Sequence, residues 1–337
     1  MGLDAALLTH PHHVFYFTNY WTRGLFAPGA LVQTEGDVVL SAPADPVDPT
    51  AADKVVLYEA DRYCTLVDDQ PAMSLTPLLP MMGSFGRIGC DDPRRPWALQ
   101  PQIVDLNQVL YTLRRHKDPD EIDMIRRCIV GCEAAYAAAH ELLEPGVTEL
   151  QVFSTMQAAA VQAVGEPIGE MGNDFRSGEP GGGPRQRAAE AGELYILDVG
   201  IVVRGYTCDL CRTFAVDGKP TEPQQQAQAR IMEAMHHVES TVRPGVGCRQ
   251  LFDQVHEILD GYQQWKFFHH LGHGIGLFAH EAPRLNPNWD DTFETGDVFT
   301  AEPGLYGDNL RAGIRIEHNY LVTEDGLERL SNYPTDL

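Results

Sequence analysis

Residues 193–214 read ELYILDVGIVVRGYTCDLCRTF, two β-type runs on either side of Arg204-Gly205. Such a pair between two strand-like runs is a hairpin turn. Folded there, the segment is expected to bring Asp198 opposite Asp209, with Cβ atoms about 5 Å apart. Two carboxylates held that close repel, and either a shared proton or a cation between them relieves the repulsion. A second stretch of the same kind is FTAEPGLYGDNLRAGIRIEHNYLV, residues 299–322. Gly307, Asp308 and Asn309 supply its turn, and Glu302 is expected to face Glu317. Two hairpins that each offer a carboxylate pair point to a metal centre rich in oxygen ligands.

Between the hairpins lies FFHHLGHGIGLFAHEAP, residues 267–283, with four histidines within twelve positions. His273 sits between glycines, where little side-chain bulk blocks approach. His269 precedes it by four residues and His280 follows by seven. Asp198, Asp209, His273, Glu302 and Glu317 are therefore the candidate ligands of two divalent ions with a bridging water. A donor set made mostly of oxygen favours Mn²⁺, with Co²⁺ or Fe²⁺ next, over Zn²⁺. Such a pair turns the water into hydroxide at neutral pH and polarises a carbonyl.

The segments that lead into the hairpins also match each other. LEPGVTELQVF at 143–153 and VRPGVGCRQLF at 242–252 each carry a helix end, Pro-Gly-Val and a fresh helix start. Thr148 with Gln151 makes a capping box at the first restart. One helix–helix–hairpin unit used twice, with its halves related by a pseudo-twofold, would bring both hairpins to one site. A long amphipathic helix is expected ahead of the first Pro-Gly-Val, with Ile122, Ile125, Ile129, Cys132, Tyr136 and Leu143 at helical spacing. The charged run RRHKDPD, 114–120, marks a domain boundary. Before it, a mixed α/β domain is expected, with strands at Ala5–Leu8, Val14–Phe17, Ala30–Val32, Val38–Leu40, Val55–Tyr58 and Arg87–Gly89.

Five of these motifs, in order and at matching spacing, resemble the pita-bread metallopeptidases, and more narrowly their Xaa-Pro branch, prolidase and aminopeptidase P. They are GYTCDLCRTF around Asp209, GHGIG at 272–276, HEAP at 280–283, AEPG at 301–304 and RIE at 315–317. The resemblance implies an α+β chain: a C-terminal pita-bread catalytic domain, 114–337, with a pseudo-twofold α-β repeat, and a smaller creatinase-like α/β domain, 1–113. It implies hydrolysis of the amide bond in Xaa-Pro dipeptides or short N-terminal Xaa-Pro peptides by a metal-bridging hydroxide. By the same resemblance the five residues above are metal ligands, and Glu302 also shuttles the proton. His280 steadies the scissile carbonyl, and His269 and Arg315 lie on the substrate's carboxyl side. An even alternative for Arg315 is a salt bridge that orients the ligand two positions on. The family's histidine after a Ser-Gly loop is missing, its place falling near Gly181 or Gly182 in SGEPGGGPRQ. That gap keeps open a metal-dependent hydrolase of another small C–N substrate, as in ectoine hydrolase. A non-catalytic pita-bread binding module is the remaining alternative.

The totals agree with this reading and exclude others. A chain of 337 residues with net charge −23 is a poor partner for nucleic acid or an anionic membrane. It holds no apolar run long enough to span a membrane, and its start, MGLDAALLTHPHHVF, shows no secretory pattern. Seven scattered cysteines suit a reducing compartment, the cytoplasm, and the CxxC at 208–211 has no second CxxC at metal-site spacing. The resemblance further implies a homodimer acting on a small peptide, with Tyr20 and Trp21 as candidate contacts.

Overall fold

The computed structural model describes residues 1–22, 26–46, 48–60, 70–92 and 102–337. The chain divides into two compact units, Met1–Leu113 and Arg114–Leu337.

In the first unit the strands are β1 (Ala5–Leu8), β2 (Gly29–Gln33), β3 (Val38–Ala42), β4 (Lys54–Leu57), β5 (Arg87–Cys90) and β6 (Gln102–Asp105). They form one mixed sheet in the order β4-β3-β2-β1-β5-β6. Helices α1 (Pro11–Thr18), α2 (Gln70–Leu75) and α3 (Asn107–Leu113) accompany it. Val14–Phe17, expected as a strand, belongs to α1. The His10 side chain caps that helix by accepting from the His12 amide, and Pro11 opens its first turn. An apolar run of four does not distinguish strand from helix, and here the cap decides.

The second unit is built on two helix pairs. α4 (Pro119–Leu142) and α5 (Glu149–Val164) are the first. Glu121 reaches back to the Asp118 amide at 2.9 Å and caps α4, and Thr148 with Gln151 forms the box that starts α5. α4 buries Ile122, Ile125, Ile129, Cys132 and Tyr136 along one face. The strands β7 (Asp174–Ser177), β8 (Leu194–Val199), β9 (Val202–Val203), β10 (Tyr206–Thr207) and β11 (Leu210–Ala215) follow. The second pair is α6 (Glu222–Thr241) and α7 (Cys248–Leu259), followed by β12 (Gly272–Gly274), β13 (Glu281–Leu285), β14 (Val298–Ala301), β15 (Gly304–Gly307), β16 (Ala312–Arg315), β17 (His318–Val322) and β18 (Leu327–Arg329). Two helices and then a hairpin-bearing sheet thus occur twice. α6, α7 and the second set of strands share one core that includes Ile231, Leu251, Trp265 and Phe299.

The two hairpins differ in register. Arg204 and Gly205, both at positive φ, make the first turn, so Val203 pairs with Tyr206. Carried down the hairpin, that register sets Asp198 against Cys211, not against Asp209. Asp209 sits just ahead of β11, diagonal to Asp198, at a break in the ladder where the chain passes from β10 to β11. In the second hairpin the turn is a 3₁₀ segment, Asp308–Leu310, closed by Arg311 at positive φ, with Gly307 ending the strand. Its register is the same on both sides of a gap in the ladder, Ala301↔His318 before it and Gly304↔Arg315 after it, which places Glu302 across from Glu317 as expected.

The hairpins are tied together through main-chain groups. The Glu317 amide donates to the Cys211 carbonyl at 3.0 Å. The Asn319 side chain clamps Asp209, donating to its carbonyl at 2.5 Å and accepting from its amide at 3.3 Å. Tyr136, fully buried on α4, donates to the Leu210 carbonyl at 2.5 Å and thereby fixes β11 beside Asp209.

Candidate metal centre

All five proposed ligands line one cavity of about 370 Å³. Ligand atoms of Asp198, Asp209 and Glu317 lie within 4.8 Å of one another, as do those of Asp209, His273 and His280, and those of His270, His273 and Glu302. The structure thus brings together side chains that are up to 119 positions apart in sequence.

His273 is held in one tautomer. Its Nδ1 donates to the Gly274 carbonyl at 3.1 Å, because a carbonyl can only accept. The neutral ring therefore presents the Nε2 lone pair to Asp209 Oδ2 at 3.7 Å and to Glu302 Oε1 at 3.6 Å. Burial depresses the His273 pKa to about 4, so the ring does not supply the missing proton at neutral pH. A lone pair aimed at two carboxylate oxygens is repulsive unless a cation lies among them. Oδ1 of Asp198 and Oε1 of Glu317 are buried with no hydrogen-bond partner. Burial pushes Asp198, Asp209 and Glu317 above the usual carboxylate range, most strongly the last two. Their negative neighbours push the same way, and Arg315 pulls in the opposite direction. The residues present fit divalent cations on each of these counts.

Glu302 behaves differently from the other three. Burial opposes its charge as well, but a 2.8 Å hydrogen bond from His270 and the nearby imidazoles bring it down to about 2. That bond overcomes the effect of burial on His270, whose pKa rises. His270 was not singled out in the sequence. Its signal was adjacency, as the second of two consecutive histidines ahead of His273.

The remaining predicted residues also face the cavity. The His280 ring stacks on His273 with centroids 3.8 Å apart, and burial lowers its pKa. Its neighbour Glu281 is held by Lys117 at 2.8 Å and Arg114 at 3.2 Å. His269 donates Nδ1 to the His270 carbonyl, so Nε2 accepts from the Tyr306 hydroxyl at 2.9 Å. Burial holds the His269 pKa near 4. Tyr306 in turn accepts from Arg315 at 3.1 Å. Arg315 donates to Asp198 at 2.6 Å and also to Asp174. Its guanidinium thus engages two carboxylates, the contact that the ligand-orienting alternative requires. Asp174 and Tyr306 escaped sequence reading because neither lies in a quoted motif's recognised position. Gly181, near where the family histidine was expected, borders the cavity. A Cβ there would fall 2.7 Å from Asp174 Oδ1, an oxygen already accepting from the Gly182 amide at 2.6 Å. Cys208 and Cys211 are buried free thiols, with Cys208 Sγ 3.2 Å from Cys132 Sγ.

Among the described residues no helix is long and apolar enough to cross a membrane. Comparison with known proteins places this geometry in a family. The chain is 29% identical to an uncharacterized peptidase of Staphylococcus haemolyticus over 98% of its own length and 95% of the relative's. It is 28% identical to an uncharacterized peptidase of Staphylococcus saprophyticus over the same shares. Among solved structures it superposes on prolidase from Pyrococcus furiosus with a TM-score of 0.80 at 24% identity, covering 98% of this chain and 97% of that one. X-Pro aminopeptidase from Thermotoga maritima gives a TM-score of 0.80 at 21% identity, covering 100% and 95%. The fold is thus the pita-bread fold of those enzymes. The profile of metallopeptidase family M24 matches residues 123–324, more than half of the sequence, and the chain belongs to that family.

Proposed function

We propose that the protein hydrolyses the amide bond preceding proline in short Xaa-Pro peptides, using two divalent ions held by Asp198, Asp209, His273, Glu302 and Glu317. The observation that carries this reading is the convergence of the His273 Nε2 lone pair on Asp209 and Glu302. The unpaired buried oxygens of Asp198 and Glu317 lie in the same cavity. Mn²⁺ suits this oxygen-rich set best. When bound, the ions polarise the scissile carbonyl and make water a nucleophile near neutral pH.

The chain's own groups perform the rest. Glu302, ionised and bonded to His270, takes the proton from the attacking water and passes it toward the departing nitrogen. His280, stacked against His273, donates to the oxygen of the scissile carbonyl as negative charge develops there. His269, fixed by Tyr306 and the His270 carbonyl, borders the leaving side. Arg315 holds Asp198 in place. The buried free thiols support a reducing compartment, the cytoplasm, and the family resemblance supports a homodimer, which light scattering after size exclusion would check.

A second reading, hydrolysis of a different small C–N substrate, draws on the glycine loop. Asp174 fills the space that a side chain at Gly181 would need. Metal analysis of purified protein together with a substrate panel tests both readings. About two Mn, Co or Fe per chain with Xaa-Pro cleavage supports the first. Two metals with no Xaa-Pro cleavage supports the second. No metal after supplementation overturns both and leaves the binding-module alternative.

A further inference from the structure

The hydrolase reading leaves one charge in the cavity without a role. Asp174 lines the cavity yet belongs to no ligand group. It sits on β7 directly across from Asp198, so its backbone is fixed by the ladder. Its two oxygens are both used: Oδ1 accepts from the Gly182 amide at 2.6 Å, and Oδ2 accepts from Arg315. Arg315 is the only Arg or Lys among the described residues that line the cavity. Its remaining bonds go to Asp198 and Tyr306, and its Nε is buried without a partner.

The α-carboxylate of a free dipeptide lies only a few bonds from the scissile carbonyl, so it must enter this same cavity. There, besides the four carboxylates that would hold the ions, it would meet Asp174 and a guanidinium that Asp174 and Asp198 already engage. Burying an unpaired charge beside like charges is costly. A longer peptide, or one with a blocked end, brings no such charge. It also has somewhere to go: an adjoining cavity of about 400 Å³ shares Phe268, His269 and His270 with the first and continues past Phe252 to Asn286 and Asn288.

Resting on the hydrolase reading, we propose that Asp174 determines specificity: by engaging Arg315 it removes the side-chain cation that could pair with a free dipeptide's carboxylate. The site then takes peptides of three or more residues, or amides with a neutral leaving side, ahead of free dipeptides.

Two measurements decide this. In the first, metal-supplemented protein is given Ala-Pro and Ala-Pro amide. The amide is expected to have the higher kcat/KM by about tenfold or more. Asp174→Asn keeps the acceptor for Gly182 but removes the charge, and it should shrink that ratio by lowering KM for Ala-Pro. Equal or better turnover of Ala-Pro by the unmodified protein overturns the proposal, as does an unchanged ratio in the variant. In the second, calorimetry compares binding of proline and prolinamide. The unmodified protein should bind prolinamide more tightly, and Asp174→Asn should shift the preference toward proline by about tenfold. The same order and ratio in both proteins counts against Asp174. If metal-loaded protein cleaves neither peptide, the hydrolase reading fails, while the calorimetric comparison still judges the charge argument.

Discussion

Glu302 and Glu317 stand across from each other in a single antiparallel register that continues on both sides of them, through Ala301↔His318 and Gly304↔Arg315. The pair is thus set by the backbone, and its repulsion is a fixed feature of the fold. Replacing Glu317 by Gln, or Asp209 by Asn, removes half of such a repulsive pair along with a ligand. Each variant should lose hydrolysis by about 10²-fold or more and bind less metal, as read by elemental mass spectrometry against total protein.

His280→Ala separates metal binding from chemistry. The ring stacks on His273 but is more exposed and is not one of the five ligands. The variant should keep its metal and lose kcat by about 10²–10³-fold, the cost of one donor to a developing oxyanion. Turnover at the original rate would refute the role given to it.

Stability of the metal-free protein should depend on pH in an unusual direction. Asp198, Asp209 and Glu317 have folded pKa values above their unfolded ones. Above pH ~4 these three groups therefore bind more protons folded than unfolded, and their contribution to stability falls as pH rises. Glu302, at about 2, contributes the opposite slope, but only below its unfolded pKa. The depressed His269, His273 and His280 act the opposite way, but only up to about pH 7, where the unfolded imidazoles have lost their protons. Metal-free protein should therefore melt at a higher temperature at pH 7.5 than at pH 8.5. Added Mn²⁺ should remove that difference, because the bound carboxylates are then ionised in the folded state. A midpoint that climbs over that pH range in metal-free protein would contradict this.

Gly274 leaves no room for any side chain. A Cβ there would lie 1.9 Å from the Ala282 carbonyl oxygen, a backbone atom that cannot swing away. Gly274→Ala should destabilise by about 3 kcal/mol and displace His273. Chemical denaturation should show the first effect and weaker metal binding the second.

Tyr136→Phe tests the support behind Asp209. It removes the hydroxyl that donates to the Leu210 carbonyl, an oxygen of the β8–β11 ladder. The expected loss is about 0.5–1.5 kcal/mol by urea titration.

Much of the site was legible because ligand geometry here follows from local pairing. The carboxylates of the second hairpin could be placed from symmetry about a turn. The first hairpin shows the limit. Arg204 and Gly205 were identified as its turn, yet a two-residue turn at those positions pairs Asp198 with Cys211. Asp209 reaches the site from a break in the strand, and breaks leave little trace in periodicity. Val14–Phe17 misled for a related reason, since four apolar residues fit either period and a capping histidine settled the matter. The Arg315–Asp174 contact was beyond reach, because nothing local to 174 signals a partner 141 positions away.

The main-chain ties between the hairpins carry a practical consequence. Each half of the second unit supplies only part of the donor set: Asp198 and Asp209 from one, His273, Glu302 and Glu317 from the other. Severing the connection between β11 and α6 would yield two fragments, and neither could chelate the full complement alone. Co-expressed, they would recover ion affinity only by docking through the Glu317–Cys211 and Asn319–Asp209 bonds. Metal retention would then serve as a reporter of reassembly.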